Sequence, residues 1–203
     1  MGWWWRRLAS EQVPTYRQNV AAQLTPKQAG LFALWRQRRG TRRWPARSAL
    51  GESDLAPWFG NFHLLGVESD GADYRYLIYG NRLSAYRERD FTGRLVSETP
   101  ESRLRAILLA CYGEVRVRGV PCLVRRPTIV FGQTKGDRML PFETVRHWLM
   151  LPFGDTDNEV NRLLSLRDDL HEDEGSSDSI EFVPLEGNIE PYWRDIDAIL
   201  DHP

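Results

Sequence analysis

Only two cysteines, Cys111 and Cys122, occur among the 203 residues. Two thiols make neither a disulfide framework nor a cysteine metal quartet, so both read as buried thiols. Histidine is nearly as scarce, with His63, His147, His171 and His202, and no His and Cys stand at the paired short spacing of a zinc site. No apolar run approaches the roughly 18 residues needed to span a bilayer, and the opening segment has neither the charged n-region nor the long h-region of a secretory signal. The chain therefore reads as cytoplasmic. Charge of one sign is missing as well: a formal net charge of −1 gives no overall attraction for nucleic acid. Phosphate loops, nucleophile elbows and His-Glu-x-x-His are absent. At this length the chain accommodates one domain with extensions.

What is present begins with an aromatic-basic cluster, Trp3, Trp4 and Trp5 followed by Arg6 and Arg7. Indole and guanidinium suit a lipid headgroup layer, but one short cluster without a second signal argues against membrane association. Thr25-Pro26 supplies a helix cap with proline at the first position, and Leu31, Leu34 and Trp35 follow at helical spacing until Gly40. The apolar face of that helix needs a surface to lie on. Its basic end, Arg36 to Arg43, is what a helix C-terminus prefers.

Strands are expected at Phe62 to Glu68 and Tyr74 to Tyr79, joined by an Asp70-Gly71 hairpin turn and paired antiparallel. Simple alternation puts Tyr74, Tyr76 and Ile78 on one face and Arg75, Leu77 and Tyr79 on the other. Asp90-Phe91-Thr92-Gly93 reads as a turn in which Gly93 takes positive φ while Asp90 and Thr92 bond neighbouring amides. Pro100 to about Glu114 has helical spacing through Leu104, Ile107, Leu108 and Cys111. Further strands are expected at Pro121 to Arg126, Thr128 to Gly132, Phe142 to Phe153 and Val160 to Leu166. Pro127 interrupts the first two of these, because proline donates no ladder hydrogen bond. The acidic stretch Asp168 to Glu174 and the serine-rich residues after it read as a solvated linker. Ile196, Ile199 and Leu200 give the tail weak helical spacing.

Trp44-Pro45-Ala46-Arg47, Asp54-Leu55, the strand ending at Tyr79, Asp90-Phe91-Thr92-Gly93 and Leu151-Pro152-Phe153 together resemble a bacterial PAS-type domain family of small stand-alone proteins. The resemblance covers roughly residues 28 to 167. It implies an α+β fold: a five-stranded antiparallel sheet, short helices over one face, and the N-terminal helix covering an edge or the other face. The corresponding division is an extension at 1–24, a PAS-like domain at 25–167 and a linker with tail at 168–203. A sensory or regulatory role without catalysis is implied, exercised by binding a small molecule or by association as a homodimer or with a signalling partner.

Tyr76, Tyr79, Arg82, Tyr86, His147 and Trp148 are the expected ligand-binding residues. Aromatic walls with a few polar groups suit a small-molecule pocket, and the planar fork of Arg82 suits a carboxylate. The cofactor, if any, is not specified by sequence. Haem lacks a helical histidine ligand, and Ala110-Cys111-Tyr112 does not match the flavin-adduct motif Asn-Cys-Arg. Two other functions are possible on the residues alone. One is a ligand-free interaction scaffold, its pocket filled by Tyr and Trp. The other is a small hydrolase built on Cys122, His147 and Glu143.

Overall fold

The computed structural model describes residues 24–84, 90–133, 139–174, 178–187 and 189–201. Helix α1 is Pro26–Arg39, opened by the reciprocal bonds of a capping box in which the Gln28 amide donates to Thr25 Oγ1 and the Thr25 amide to Gln28 Oε1, both at 3.2 Å. The short helix α2, Glu52–Leu55, leads to strands β1, Phe62–Glu68, and β2, Asp73–Tyr79. Helix α3, Asn81–Ser84, and the long α4, Ser102–Arg118, come next. Five further strands follow: β3, Cys122–Gln133; β4, Met139–Phe153; β5, Arg162–Glu174; β6, Ser179–Pro184; and β7, Tyr192–Asp195. Helix α5, Ile196–Asp201, completes the described chain.

All seven strands belong to one antiparallel sheet in the order β2-β1-β5-β4-β3-β6-β7. This overturns the expected five-stranded PAS-like fold. The difference lies in the residues expected to form a linker and tail. Strand β5 continues through the acidic stretch to Glu174, where its register sets Glu172 opposite Arg146 and Asp173 opposite Val145. Strand β6 then adds to the outer side of β3, and β7 to β6. Composition suggested a solvated segment because charge lowers intrinsic strand preference, but a ready sheet edge supplies the pairing that propensity lacks. Pro127 does not break β3: it stands opposite Val145 within one continuous strand. Strand β6 pairs with β3 only over Cys122 to Arg125, so at Pro127 one side of β3 has already left a ladder and the missing N–H is tolerated.

Helix α1 covers the outer face of the sheet. Leu31 and Trp35 are fully buried, and Trp35 Nε1 donates to the Pro152 carbonyl at 2.8 Å. That answers the need of its apolar stripe within the same chain. The opposite, inner face lies under α4, which contributes Ile107, Leu108, Cys111, Tyr112 and Val115 to the core. The C-terminal strands share that core through Ile180, Phe182 and Ile196. Glu114 of α4 binds Arg194 of β7 at 2.8 Å and Arg118 at 2.5 Å, tying helix to strand.

A chain ending at Glu174 therefore loses Ile180, Phe182, Val183 and Ile196, each with no exposed surface. At about 1.5–3 kcal/mol per fully buried apolar side chain, the loss is about 6 kcal/mol or more, comparable with the stability of a whole domain. The truncated chain is expected to lose its cooperative denaturant transition, and an unchanged midpoint by circular dichroism would contradict a core shared with β6 and α5.

Candidate functional site

The site is set by strand register. On the inner face, His63 of β1 stands opposite Ser165 of β5, Ser165 opposite Met150 of β4, and Met150 opposite Cys122 of β3. Alternation then places Arg167, Trp148, Val124, Arg146 and Arg126 on the same face. Direct pairs confirm it: Trp148 with Arg167, Val124 with Trp148, and Arg126 with Arg146. The half of this face under α4 is apolar, through Leu65, Leu163, Met150, Val124 and Phe182. The other half carries His63, Ser165 and three arginines, and it is no more open to water. Arg126 and Arg146 are 2 % exposed, Arg167 4 %.

Aromatic rings line this polar half. Tyr79 approaches His63 to 4.2 Å between ring centroids, Tyr76 meets His63 edge-on at 5.3 Å, and Trp148 stacks on His63 at 5.6 Å. The Arg126 guanidinium lies over Trp148 at 4.4 Å, a contact worth about 2 kcal/mol when desolvated. Tyr76 and Tyr79 share a face only because the ladder shifts between Leu64 and Leu65, leaving Leu77 as the extra residue of a bulge. Strict alternation, which separated the two tyrosines, fails there, and Leu77 points outward and exposed. Phe91 packs on both rings, at 6.1 and 5.4 Å. Its turn has the geometry expected of Asp90-Phe91-Thr92-Gly93: Gly93 sits at φ 82°, the Thr92 amide donates to Asp90 Oδ1 at 2.8 Å, and the Tyr79 amide donates to Thr92 Oγ1 at 3.2 Å. The Thr92 amide holds the Asp90 carboxyl below the usual carboxylate range.

Of the expected ligand-binding residues, the structure brings together Tyr76, Tyr79 and Trp148. His147 faces the other way. On the outer side it accepts from Arg125 Nε at 3.0 Å, and Arg125 in turn binds Glu181 at 2.9 Å. Arg82 is exposed on α3, its amide bonded to the Gly60 carbonyl at 3.1 Å. Tyr86 lies outside the described residues. Sequence reasoning passed over His63, Ser165, Arg126, Arg146 and Arg167. The signal was available for the arginines, since each falls two residues from a core position and in phase with it, where an apolar side chain is the norm.

The thiols are inert by placement. Cys122 is on the inner face and His147 on the outer, so the dyad of the hydrolase alternative does not form. Burial pushes Cys111 and Cys122 up to about 12, with Arg126 pulling Cys111 back and Arg118 pulling Cys122 back. Among the described residues no group of three or more His, Cys, Asp or Glu is placed to hold a metal ion, and no helix is long and apolar enough to cross a membrane. A groove of about 410 Å³ between α4 and α5, lined by Ala106, Leu109, Ala110, Ile199 and Leu200, lacks the convergent polar groups of the inner face; Arg105 in its wall donates to Thr99. Comparison with protein-family models, curated proteins and solved structures finds no match. The PAS-type resemblance therefore rests on the sequence segments alone.

Alkaline pH exposes these protonated groups to linkage. Cys111, Cys122 and Tyr74 are raised by burial to about 12 from ordinary values of 9.0, 9.0 and 10.0. Between those values the unfolded chain has released protons that the folded chain still holds, so stability falls as pH rises. The denaturation midpoint is expected to be level from pH 7 to 8.5 and to drop progressively from pH 9 toward 11. Double replacement Cys111→Ala, Cys122→Ala should shallow that drop, and an identical slope would show that the thiols are not its source.

Proposed function

We propose that this chain is a non-catalytic regulatory protein that takes up a small molecule against the polar half of the inner sheet face and signals through association with another protein. The observation that carries the reading is the set of buried polar side chains there. Trp148 Nε1 and Ser165 Oγ are enclosed and have no hydrogen-bond partner among the described residues, although each belongs to a side chain no more than 3 % exposed. Unsatisfied buried donors cost about 1–3 kcal/mol each, and sites that bind are where proteins retain such costs. The sensory role implied by the resemblance fits this reading without the five-stranded fold. Absence of catalysis is supported by the separation of Cys122 from His147 and by thiols held protonated.

A ligand acts by preferring one arrangement of the surrounding elements over another. The turn carrying Phe91 is the element best placed to respond, because it is held to the outer edge of β2 by two backbone bonds. The Gly93 amide donates to the Tyr76 carbonyl at 2.7 Å, and the Tyr76 amide donates to the Arg94 carbonyl at 2.9 Å. One observation favours a second reading, a ligand-free scaffold: the rings of Tyr76, Tyr79, His63, Phe91 and Trp148 already pack on one another.

Native mass spectrometry of protein purified without denaturant separates the two. The regulatory reading expects a bound mass that leaves on unfolding and is recovered chemically unchanged. It also expects amide exchange at Tyr76, Gly93 and Arg94 to slow about tenfold when that molecule is restored to stripped protein. A bare mass together with no thermal shift across a metabolite panel would establish the scaffold instead.

A further inference from the structure

Strands β3 and β4 run on together past their neighbours as a two-stranded ribbon. Their register continues from Arg126 opposite Arg146 to Gln133 opposite Met139, whereas β6 pairs with β3 no further than Arg125 and β5 with β4 no further than Thr144. Among the described residues neither edge of the ribbon has a partner strand, and a lone two-stranded ribbon is marginal in water. In an antiparallel ladder successive residues turn their N–H and C=O alternately to one neighbouring strand and to the other. The Leu185 amide donates to the Pro121 carbonyl, so the odd-numbered residues of β3 address the β6 side. Pro127, Ile129, Phe131 and Gln133 therefore offer their backbone groups to the open edge, and Pro127 stands where its missing N–H costs no bond to β4. By the same register Met139, Pro141 and Glu143 address the open edge of β4. That edge is blunted, by a proline without a donor and by a charge. The edge of β3 has no such protection past Pro127: Thr128-Ile129-Val130-Phe131-Gly132-Gln133 carries neither charge nor proline, and residues that favour strands fill its middle.

We infer that the open edge of β3 docks a second copy of this chain, the two β3 strands pairing antiparallel about a two-fold axis with the two Val130 residues opposite each other. A two-fold axis sets a strand antiparallel to itself, so this edge is its own complement and the assembly closes at two copies. In that register Ile129 of each chain lies opposite Phe131 of the other and Pro127 opposite Gln133. Each edge-facing N–H, at Ile129, Phe131 and Gln133, then gains an acceptor, and Pro127 is asked only to accept. An uncharged run suits an identical strand, because no like charges meet along it, whereas an acidic or basic partner strand would find no countercharge there. The blunted edge of β4 keeps further copies from adding. The inference stands apart from the ligand reading and gives self-association a surface.

Sedimentation equilibrium of the full chain tests the inference and is expected to give a dimer. Ile129→Pro deletes a donor that faces only the open edge and leaves the bonds to β4 in place. It should weaken dimerisation about 100-fold, because each copy is left with an unmet acceptor. Ile129→Lys, which sets a charge on the edge, acts in the same direction, and thermal melts establish that both variants fold. Val130→Cys brings two thiols to a directly opposed pair whose Cα atoms stand about 4.5 Å apart, within disulfide reach. Mild oxidation should convert it to a covalent dimer, about tenfold faster than Thr128→Cys, whose two copies are not opposed; the native thiols are fully buried and do not interfere. A monomer at every concentration would overturn the inference, and slow amide exchange at Ile129 and Phe131 in that monomer would show the edge covered from within the chain. A dimer that neither Ile129 variant weakens and that Val130→Cys does not cross-link would place the interface elsewhere and overturn it equally.

Discussion

Three guanidinium groups buried on a sheet face that also holds the hydrophobic core are the constraint around which this molecule is arranged. An isolated buried ion is too costly to keep, and arginine cannot escape by losing its proton. The fold has to provide compensation, and part of it is visible in the flat contact of Arg126 on Trp148. The segregation of the face follows from the same constraint. Leu65, Leu163, Met150, Val124 and Phe182 gather under α4, while the cations gather beside them with His63 and Ser165, so apolar surface and charge do not interleave at random.

On the outer face Arg125 is bonded to His147 and Glu181, and α1 covers apolar side chains through Leu31 and Trp35. The sheet is thus polarised across its thickness, with a settled covering on one side and donor-rich chemistry on the other. A helix whose apolar stripe is already seated on β4 and β5 is a structural cover.

Local rules made several elements legible from sequence. Thr25 and Pro26 announce the start of α1, Gly40 its end, and Asp90 with Thr92 and Gly93 a turn, because each depends only on residues a few positions away. The features that failed depend on partners far along the chain. Leu77 becomes the extra residue of a bulge only when β1 is laid beside β2, and that single insertion moves Tyr79 to the side of Tyr76. Strand β6 and the acidic end of β5 exist because β3 and β4 offer edges to pair with. His147 and Trp148 were both expected at the pocket, whereas neighbours along a strand face opposite sides of the sheet. The arginines of the inner face were legible in principle, in the phase they share with Trp148 and Ser165, but a charged residue in core phase is easily read as the end of a strand.

The position of the aromatic cluster bears on how a bound molecule would be felt elsewhere. Tyr76 bonds through its backbone to Gly93 and Arg94, and the chain from there passes through the short turn at Val96–Glu98 to Thr99, whose carbonyl is held by Arg105 at 2.7 Å in the first turn of α4. The far end of α4 is fixed separately, by Glu114 to Arg194 and by Arg116 to the Asp70 carbonyl. The helix is thus held at its C-terminal half by ion pairing and a backbone contact, and joined at its start to the turn that packs on Tyr76 and Tyr79. Contiguity of this kind becomes coupling when the connecting element has two arrangements that both ends can bias. The segment from Asp90 to Thr99 lies outside the central ladders, held to the edge of β2 by short backbone bonds and to the core by the buried side chains of Phe91 and Val96, so any shift of the rings it packs on is passed to it directly.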